Sequence, residues 1–246
     1  KIGLGKFLGG QVWKPGNDKY GIFPMIIGSL YITGGAIAVG VPIGIFTAVF
    51  LAKYCPKGLY KIIKPATELL AGIPSVVYGF FGLMVIVPAV RMIFGTNRTD
   101  GMSILTASFL LGIMILPTIV SVCEAAIRSV PTPYYEGALA LGATKERSIF
   151  LTVIPAAKSG IVAGIVLGIG RAIGETMAVV MVAGNQARMP KGITRGVRTL
   201  TSNIVLEMGY AADLHREALI ATGVVLFVFI LLINLCVAAL KRQDAK

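Results

Sequence analysis

Long uncharged runs, rather than alternation, dominate the hydropathy pattern of this chain. Five stretches, at 25–52, 69–93, 103–127, 159–184 and 218–240, are apolar over enough length to cross a bilayer. At about 1.5 Å per residue, roughly 20 helical residues span about 30 Å of hydrocarbon. No ten-residue alternation of the kind that builds a membrane β-barrel occurs. Backbone polar groups inside lipid must then be satisfied within helices. The expectation is an all-α, polytopic transmembrane helix bundle with five spans. Pro42, Pro74, Pro88 and Pro117 lie in or near the ends of these runs, and they predict kinks whose freed carbonyls are covered by neighbouring helices.

Composition narrows the chemistry. Of 246 residues, 56% are hydrophobic and only 14% charged, with 30 glycines, a balance that excludes a polar coat and fits lipid as solvent. Cys55, Cys123 and Cys236 are scattered singly, and His215 is the one histidine, so neither a disulfide framework nor a metal site is expected. No GxxxxGK[ST], HExxH or GxSxG string occurs. The chain is therefore expected to be no enzyme, to have no catalytic residues and to carry no cofactor of its own. The net charge is +12, yet the basic residues divide evenly between the two sides of the expected bundle, so the positive-inside rule does not orient it. No nucleic-acid partner is expected.

Along the chain, residues 1–24 are polar and glycine-rich and form an expected extracytoplasmic segment; 25–240 read as one membrane domain, and 241–246 as a cytoplasmic tail. The chain opens at Lys1 with no signal-peptide core, which suggests a natural beginning further upstream. Two connections, 128–158 and 185–217, are long enough to have structure. The first reads as two short helices joined by an elbow. Thr132 is expected to cap the first, with Pro133 at its opening; Gly142 supplies a left-handed end; Thr144 caps the second, and Pro155 stops it. Tyr134, Ala138 and Leu141 should share one face, and Ile149, Phe150 and Val153 another.

Within that elbow, Glu136-Gly137-Ala138, then Gly142, then Ile154-Pro155 resembles the EAA loop of ABC importer permeases, with matching spacing throughout. Gly137, Thr152 and Ile154 depart from the usual residues. The resemblance implies that Glu136, Gly137, Ala138 and Gly142 belong to a coupling element that enters a groove on a separate ATPase. It also implies that 128–158 faces the cytoplasm, which charge counting left open.

The span 159–184 contains Arg171 almost at its midpoint and Glu175 four residues on, one turn away on the same helix face. Each costs roughly 2.5 to 3.5 kcal/mol to insert, so both should face protein or a wet pathway. Two readings stand. The pair neutralises itself locally, although arginine preceding glutamate is the poorer i, i+4 order. Alternatively, Arg171 serves an oxyanion pathway, its planar fork donating parallel hydrogen bonds, with Glu175 holding it when the site is empty. Gly160, Gly164 and Gly168 precede the pair every four residues and permit close helix contact.

The string Arg171-Ala172-Ile173-Gly174-Glu175-Thr176-Met177-Ala178-Val179 is similar to the hallmark of the phosphate ABC importer permeases of the C type. Gly72-Ile73-Pro74-Ser75-Val76-Val77-Tyr78-Gly79, Thr199-Leu200-Thr201-Ser202-Asn203 and Leu206-Glu207-Met208-Gly209-Tyr210-Ala211 resemble the same family in order and spacing. That resemblance implies a type I importer fold with a sixth, N-terminal span upstream, in a bacterial cytoplasmic (inner) membrane. It implies an A-type permease partner, two cytoplasmic ATPase subunits that hold ATP and Mg, an extracytoplasmic phosphate-binding protein, and inorganic phosphate as cargo moved by alternating access. Arg171, Glu175, Thr176, Ser75 and Asn203 are the expected pathway residues. An ABC permease for another oxyanion or solute, and an ATP-independent anion transporter, remain the competing readings.

The loop 185–217 sets Arg188, Lys191, Arg195, Arg198 and Arg216 against Glu207 and Asp213. It reads either as a solvated face or a lipid-headgroup contact, or as a basic surface that steers phosphate, or an acidic rim of the binding protein, toward the pore.

Overall fold

A computed structural model describes residues 2–96 and 99–243, the stretch 236–243 as backbone only. Lys1, Arg98 and the end of the expected tail, 244–246, lie outside the described residues, as do the side chains of Cys236, Lys241 and Arg242.

The polar beginning of the chain is folded. A short helix α1 (Leu4–Gly9) leads to two-residue strands, β1 (Trp13–Lys14) and β2 (Lys19–Tyr20), paired antiparallel with Trp13 opposite Tyr20. Phe7, Trp13 and Tyr20 are buried in a small cluster with Ile22, Met25, Leu200, Ala218 and Leu219. Apolar side chains of this first segment thus cover one end of two of the long apolar helices.

The first of these is α2 (Phe23–Val49), with Pro24 in its first turn, where a missing N–H leaves no bond unmade. Its helical path widens at Phe50–Tyr54 and stops before Pro56. Next comes α3 (Lys57–Gly72), an amphipathic helix with no fully buried residue. The expected span 69–93 is corrected here. Ile73 stands before Pro74, where the proline ring disfavours helical backbone, and adopts an extended conformation. Leu69 to Gly72 therefore complete α3, and the membrane helix starts at Ser75 as α4 (Ser75–Phe81), running through a wide turn, Gly82–Ile86, into α5 (Val87–Phe94).

Helix α6 (Ile104–Arg128) is capped by Ser103, whose hydroxyl accepts from the Thr106 N–H, and is the most deeply buried of the long helices. The elbow follows as α7 (Thr132–Ala140), α8 (Lys145–Ser148), a wide turn at Ile149–Val153 and α9 (Ile154–Ala156). A bend of 70° then leads into α10 (Lys158–Gly174). After Glu175 and Thr176 come α11 (Met177–Val182), α12 (Leu200–Glu207) and the long α13 (Asp213–Gln243).

Among the described residues four stretches, Phe23–Tyr54, Ser75–Phe94, Ile104–Arg128 and Asp213–Leu235, are long and apolar enough to cross a membrane on their own, and the bent pair ending in α10 makes a fifth when it is counted as one span. The expected run 159–184 is not one rod, because it breaks between α10 and α11. Helix α6 is the axis, with α2 and α10 packed on it. The glycine stripe on α10 acts as expected. A Cβ at Gly160 would meet the Ala126 Cβ at 2.4 Å, one at Gly164 the Cys123 Sγ at 2.9 Å, and one at Gly168 the Ile119 Cγ1 at 2.8 Å. On the other flank of α6, Gly40 and Gly44 of α2 admit Ile115 and Ile119 in the same way.

Three details of the elbow differ from expectation, the first being that Pro155, expected to stop the second helix, stands inside α9, which runs on to Ala156. Thr132 is the first residue of α7, with Pro131 in the cap position and no side-chain cap bond. Phe150 is 45% exposed while Ile149 and Val153 are buried, because the wide turn rotates Phe150 off the face the three were expected to share.

Candidate functional site

Helix α10 carries Arg171 to the middle of the bundle, half-buried, where a guanidinium Nη1 donates to the Thr118 hydroxyl of α6 at 3.2 Å. Tyr78 of α4 lies within reach of its charge and donates its own hydroxyl to the Leu70 carbonyl at 2.8 Å. Thr118 is thus the partner of Arg171 in this structure.

Glu175 is not that partner. The helix ends at Gly174 and Glu175 takes an extended backbone, so the two side chains do not sit one turn apart on one face. Among the described residues no ion pair joins them. Instead, Glu175 Oε1 accepts from the backbone N–H of Thr176 at 3.0 Å and of Ala178 at 3.2 Å. These are orphan donors at the start of α11, where the helix dipole also favours negative charge. The reading in which the pair neutralises itself finds no contact to support it, and neither does the one in which Glu175 holds Arg171 in the empty site.

The neighbouring residues fall into place around this break. Thr176 donates its hydroxyl to the Gly174 carbonyl at 3.2 Å, and Thr201 of α12 donates to the Glu175 carbonyl at 3.2 Å. Ser75 opens α4, half-buried. Helices α4 and α11, each the piece that follows a break, pack together through Gly79, whose Cβ would meet the Ala178 Cα at 3.0 Å. Discontinuous helices meeting near mid-membrane form a common frame for charged solutes, because each break frees helix ends within the bilayer.

Asn203 does not join this group. It is fully buried, and its Oδ1 accepts from Arg198 Nη1 at 3.1 Å. Arg198 also donates to the Asn185 carbonyl at 3.1 Å and pairs with Glu207 at 2.5 Å. Its side chain is only 17% exposed, so Arg198 is withdrawn from the basic surface that 185–217 was expected to present. Glu207 is buried and accepts three bonds, the others from Trp13 Nε1 and His215 Nε2, each at 2.8 Å. Arg188, Lys191, Arg195 and Arg216 remain exposed.

At the opposite end, Glu136 and Gly137 of α7 are exposed, with Ala138 half-buried, and Gly142 ends the turn at φ 84°. A Cβ at Gly137 would touch nothing within this chain. Leu141 is 91% exposed, on a helix without a fully buried residue. The elbow is braced from behind by two cation–π contacts, Lys145 over Tyr54 at 4.8 Å and Lys53 over Tyr135 at 5.9 Å.

A second buried carboxylate ties this end together. Glu124 of α6 accepts from the Tyr60 hydroxyl at 2.8 Å, Lys64 Nζ at 3.0 Å and Arg128 Nε at 2.8 Å, while Arg128 Nη2 donates to the Leu51 carbonyl at 2.7 Å. Helices α3 and α6 are joined through this one acid, and Arg128 carries the tie on to the wide turn that follows α2. The accepted phenol proton holds Tyr60 above its ordinary pKa, and burial adds to the rise. The sequence reading passed over Glu124, although its place just inside an apolar run was the available signal. It also weighed Glu207 only as a surface charge. Among the described residues no three His, Cys, Asp or Glu side chains gather into a metal-sized group.

Known proteins match this arrangement. A model of the family described as binding-protein-dependent transport system inner membrane component matches residues 40–243. A probable ABC transporter permease protein, YqgH, of Bacillus subtilis is 40% identical over 93% of this chain and 76% of its own length. The phosphate transport system permease protein PstC of Mesorhizobium japonicum is 36% identical over 98% of this chain and 79% of its own. Among solved structures, an inward-facing MetNI methionine ABC transporter superposes with a TM-score of 0.70 at 20% identity, covering 90% of this chain and 95% of that one. A bacterial alginate ABC importer superposes at 0.68 and 18% identity, over 91% of this chain and 80% of that one. By the reach of the family model and the identity to these relatives, the chain belongs to the binding-protein-dependent transport system inner membrane component family, the membrane-embedded permeases of ABC importers.

Proposed function

We propose that this chain is the C-type permease subunit of an ATP-driven inorganic phosphate importer in a bacterial inner membrane. One observation carries the choice of cargo: Arg171 sits mid-bundle with a neutral hydroxyl partner and, among the described residues, no carboxylate bonded to it. A half-buried guanidinium of this kind is ready to exchange one hydroxyl bond for charge-assisted bonds to a tetrahedral oxyanion. The name of the Mesorhizobium japonicum relative, a phosphate transport system permease protein, agrees with that cargo. Thr118 is the resting partner of Arg171, and Ser75 and Thr176 stand at the two helix breaks beside the path. Asn203 contributes from behind by holding Arg198.

The companion subunits follow from the same reading. An A-type permease completes the pathway, a phosphate-binding protein delivers cargo to the end bearing 185–217, and two ATPase subunits, which hold ATP and Mg, receive the elbow. Glu136, Gly137 and Ala138 form the inserted helix, and the exposed Leu141 extends its apolar tip. ATP favours one of two arrangements of the bundle by binding it more tightly, and cargo is carried by the exchange.

Phosphate uptake into proteoliposomes containing the assembled transporter tests the cargo role. Arg171→Ala forfeits a charge-assisted contact of about 1.5 to 3 kcal/mol, so uptake should fall roughly ten- to a hundredfold. Arg171→Lys, which keeps charge without the fork, should recover only part of the rate. Near wild-type uptake by Arg171→Ala at normal membrane protein levels would refute the role.

A further inference from the structure

The outer loop contains a second cationic site that the pathway residues do not use. Arg188, Lys191 and Arg195, with Met189 and the backbone of Gly196, line a cavity of about 360 Å³. No carboxylate lines it among the described residues. The nearest acid in the loop sequence, Glu207, is committed to Arg198, Trp13 and His215. Three positive charges therefore face one small volume with no internal counter-ion.

The cavity is also held in shape. The Ile104 N–H donates to the Arg195 carbonyl at 3.1 Å, and the Leu105 N–H to the Ile193 carbonyl at 2.9 Å, so the start of α6 is capped by the loop itself. The Val197 N–H donates to the Ala183 carbonyl at 2.8 Å, and Gly184 pairs with Val197 in a parallel bridge. At Gly196 a Cβ would stand 3.2 Å from the Ala183 carbonyl oxygen, so the loop backbone is pressed onto the end of α11. Arg188 is oriented as well, since its Nε and Nη2 both donate to Gln186 Oε1, at 3.1 and 2.7 Å. These anchors fix the backbone of Arg195 to the start of α6 and hold the Arg188 guanidinium against the neighbouring Gln186.

We infer that Arg188, Lys191 and Arg195 form a binding site for a phosphate-class oxyanion at the outer end of α11, one short helix beyond the Arg171 level. The site rests on the permease reading for its purpose: an anion held here waits at the mouth of the pathway. Its chemistry stands alone, because three unpaired cations in one cavity attract a multiply charged tetrahedral anion over chloride. A free phosphate and the phosphate of a lipid headgroup share that chemistry.

Protection of Lys191 from acylation, read by mass spectrometry, tests the site without requiring turnover. The full chain in its native membrane assembly is placed in phosphatidylcholine nanodiscs and labelled in inorganic phosphate or in chloride at equal ionic strength. Inorganic phosphate should slow labelling of Lys191 and leave the exposed Lys61 unaffected. Arg195→Gln or Arg188→Gln should raise the half-protecting phosphate concentration about tenfold, the worth of one charge-assisted contact, and Arg195→Lys should restore most of it. Protection in phosphatidylglycerol nanodiscs without inorganic phosphate, and none from phosphate itself, assigns the same site to a lipid headgroup. Labelling of Lys191 that neither source slows overturns the site. That result would leave the Arg171 uptake test untouched, and loss of phosphate uptake would leave this one standing.

Discussion

The indole Nε1 of Trp13 donates to Oε2 of Glu207 at 2.8 Å across 194 positions of sequence, fastening the first folded segment to the end of α12. The same carboxylate receives Arg198 and His215. Glu207→Ala leaves a largely buried guanidinium without its counter-charge, although Asn185 and Asn203 still accept from it, and two further donors without an acceptor, a loss of about 3 to 5 kcal/mol. Thermal unfolding followed by the fluorescence of Trp13, the one tryptophan of the chain, should report a lower transition and a red-shifted folded spectrum. An unchanged melt would show that the cluster does not hold the segment.

Helix contact between α10 and α6 makes a sharper prediction. Gly160→Ala brings a Cβ to 2.4 Å from that of Ala126, a non-flexible neighbour. The helices must separate, at about 1 to 3 kcal/mol for overpacking. Ala126→Gly in the same chain should restore stability. Equal melts for the single and double variants would place the close approach elsewhere.

How much of this was legible in the sequence differs from residue to residue. The glycines at 160, 164 and 168 announced their helix contact through spacing alone, because period four on a helix is one face. Gly142 and Thr144 announced the elbow through local backbone chemistry. The relation of Arg171 to Glu175 was misread because helical spacing holds only while the helix continues, and it stops at Gly174. Arg198 looked like its exposed basic neighbours, and only the fold brings Glu207 and Asn203 around it. Long-range pairing of charges depends on which helices meet, and hydropathy does not encode that.

Glu175 now has a separable task at α11. Glu175→Ala removes the acceptor for the Thr176 and Ala178 N–H groups, a capping loss of about 1 kcal/mol. Hydrogen exchange at the Ala178 amide should accelerate about fivefold, whereas Glu175→Gln, which keeps a carbonyl oxygen, should lie between. No change in either variant would deny the cap.

Alkaline titration addresses Tyr60. Its pKa is raised because Glu124 accepts the phenol proton, so the neutral form is favoured in the folded chain. The sign follows: the stability from this bond is complete below the ordinary tyrosine value of about 10 and is lost as pH rises through the folded value. Tyr60→Phe should remove an ionisation above the ordinary range, seen as the missing high-pH part of the tyrosinate absorbance. A variant whose titration matches wild type there would contradict the assignment.

Leu141, at the tip of the elbow, is 91% exposed. Leu141→Asp should leave the membrane bundle folded, since nothing within the chain covers that side chain, yet abolish stimulation of the ATPase by cargo. Full stimulation at normal assembly would remove the elbow from the coupling route.

The interruption at Glu175 and Thr176 divides the apolar run 159–184 between two owners. Below it, α10 is keyed into α6 by glycines; above it, α11 is seated on α4. A tilt delivered through the 70° bend at Ala157 therefore reaches Arg171 with the lower limb and need not drag the upper limb along. The joint leaves the guanidinium on the limb keyed into α6, while the limb seated on α4 is held separately.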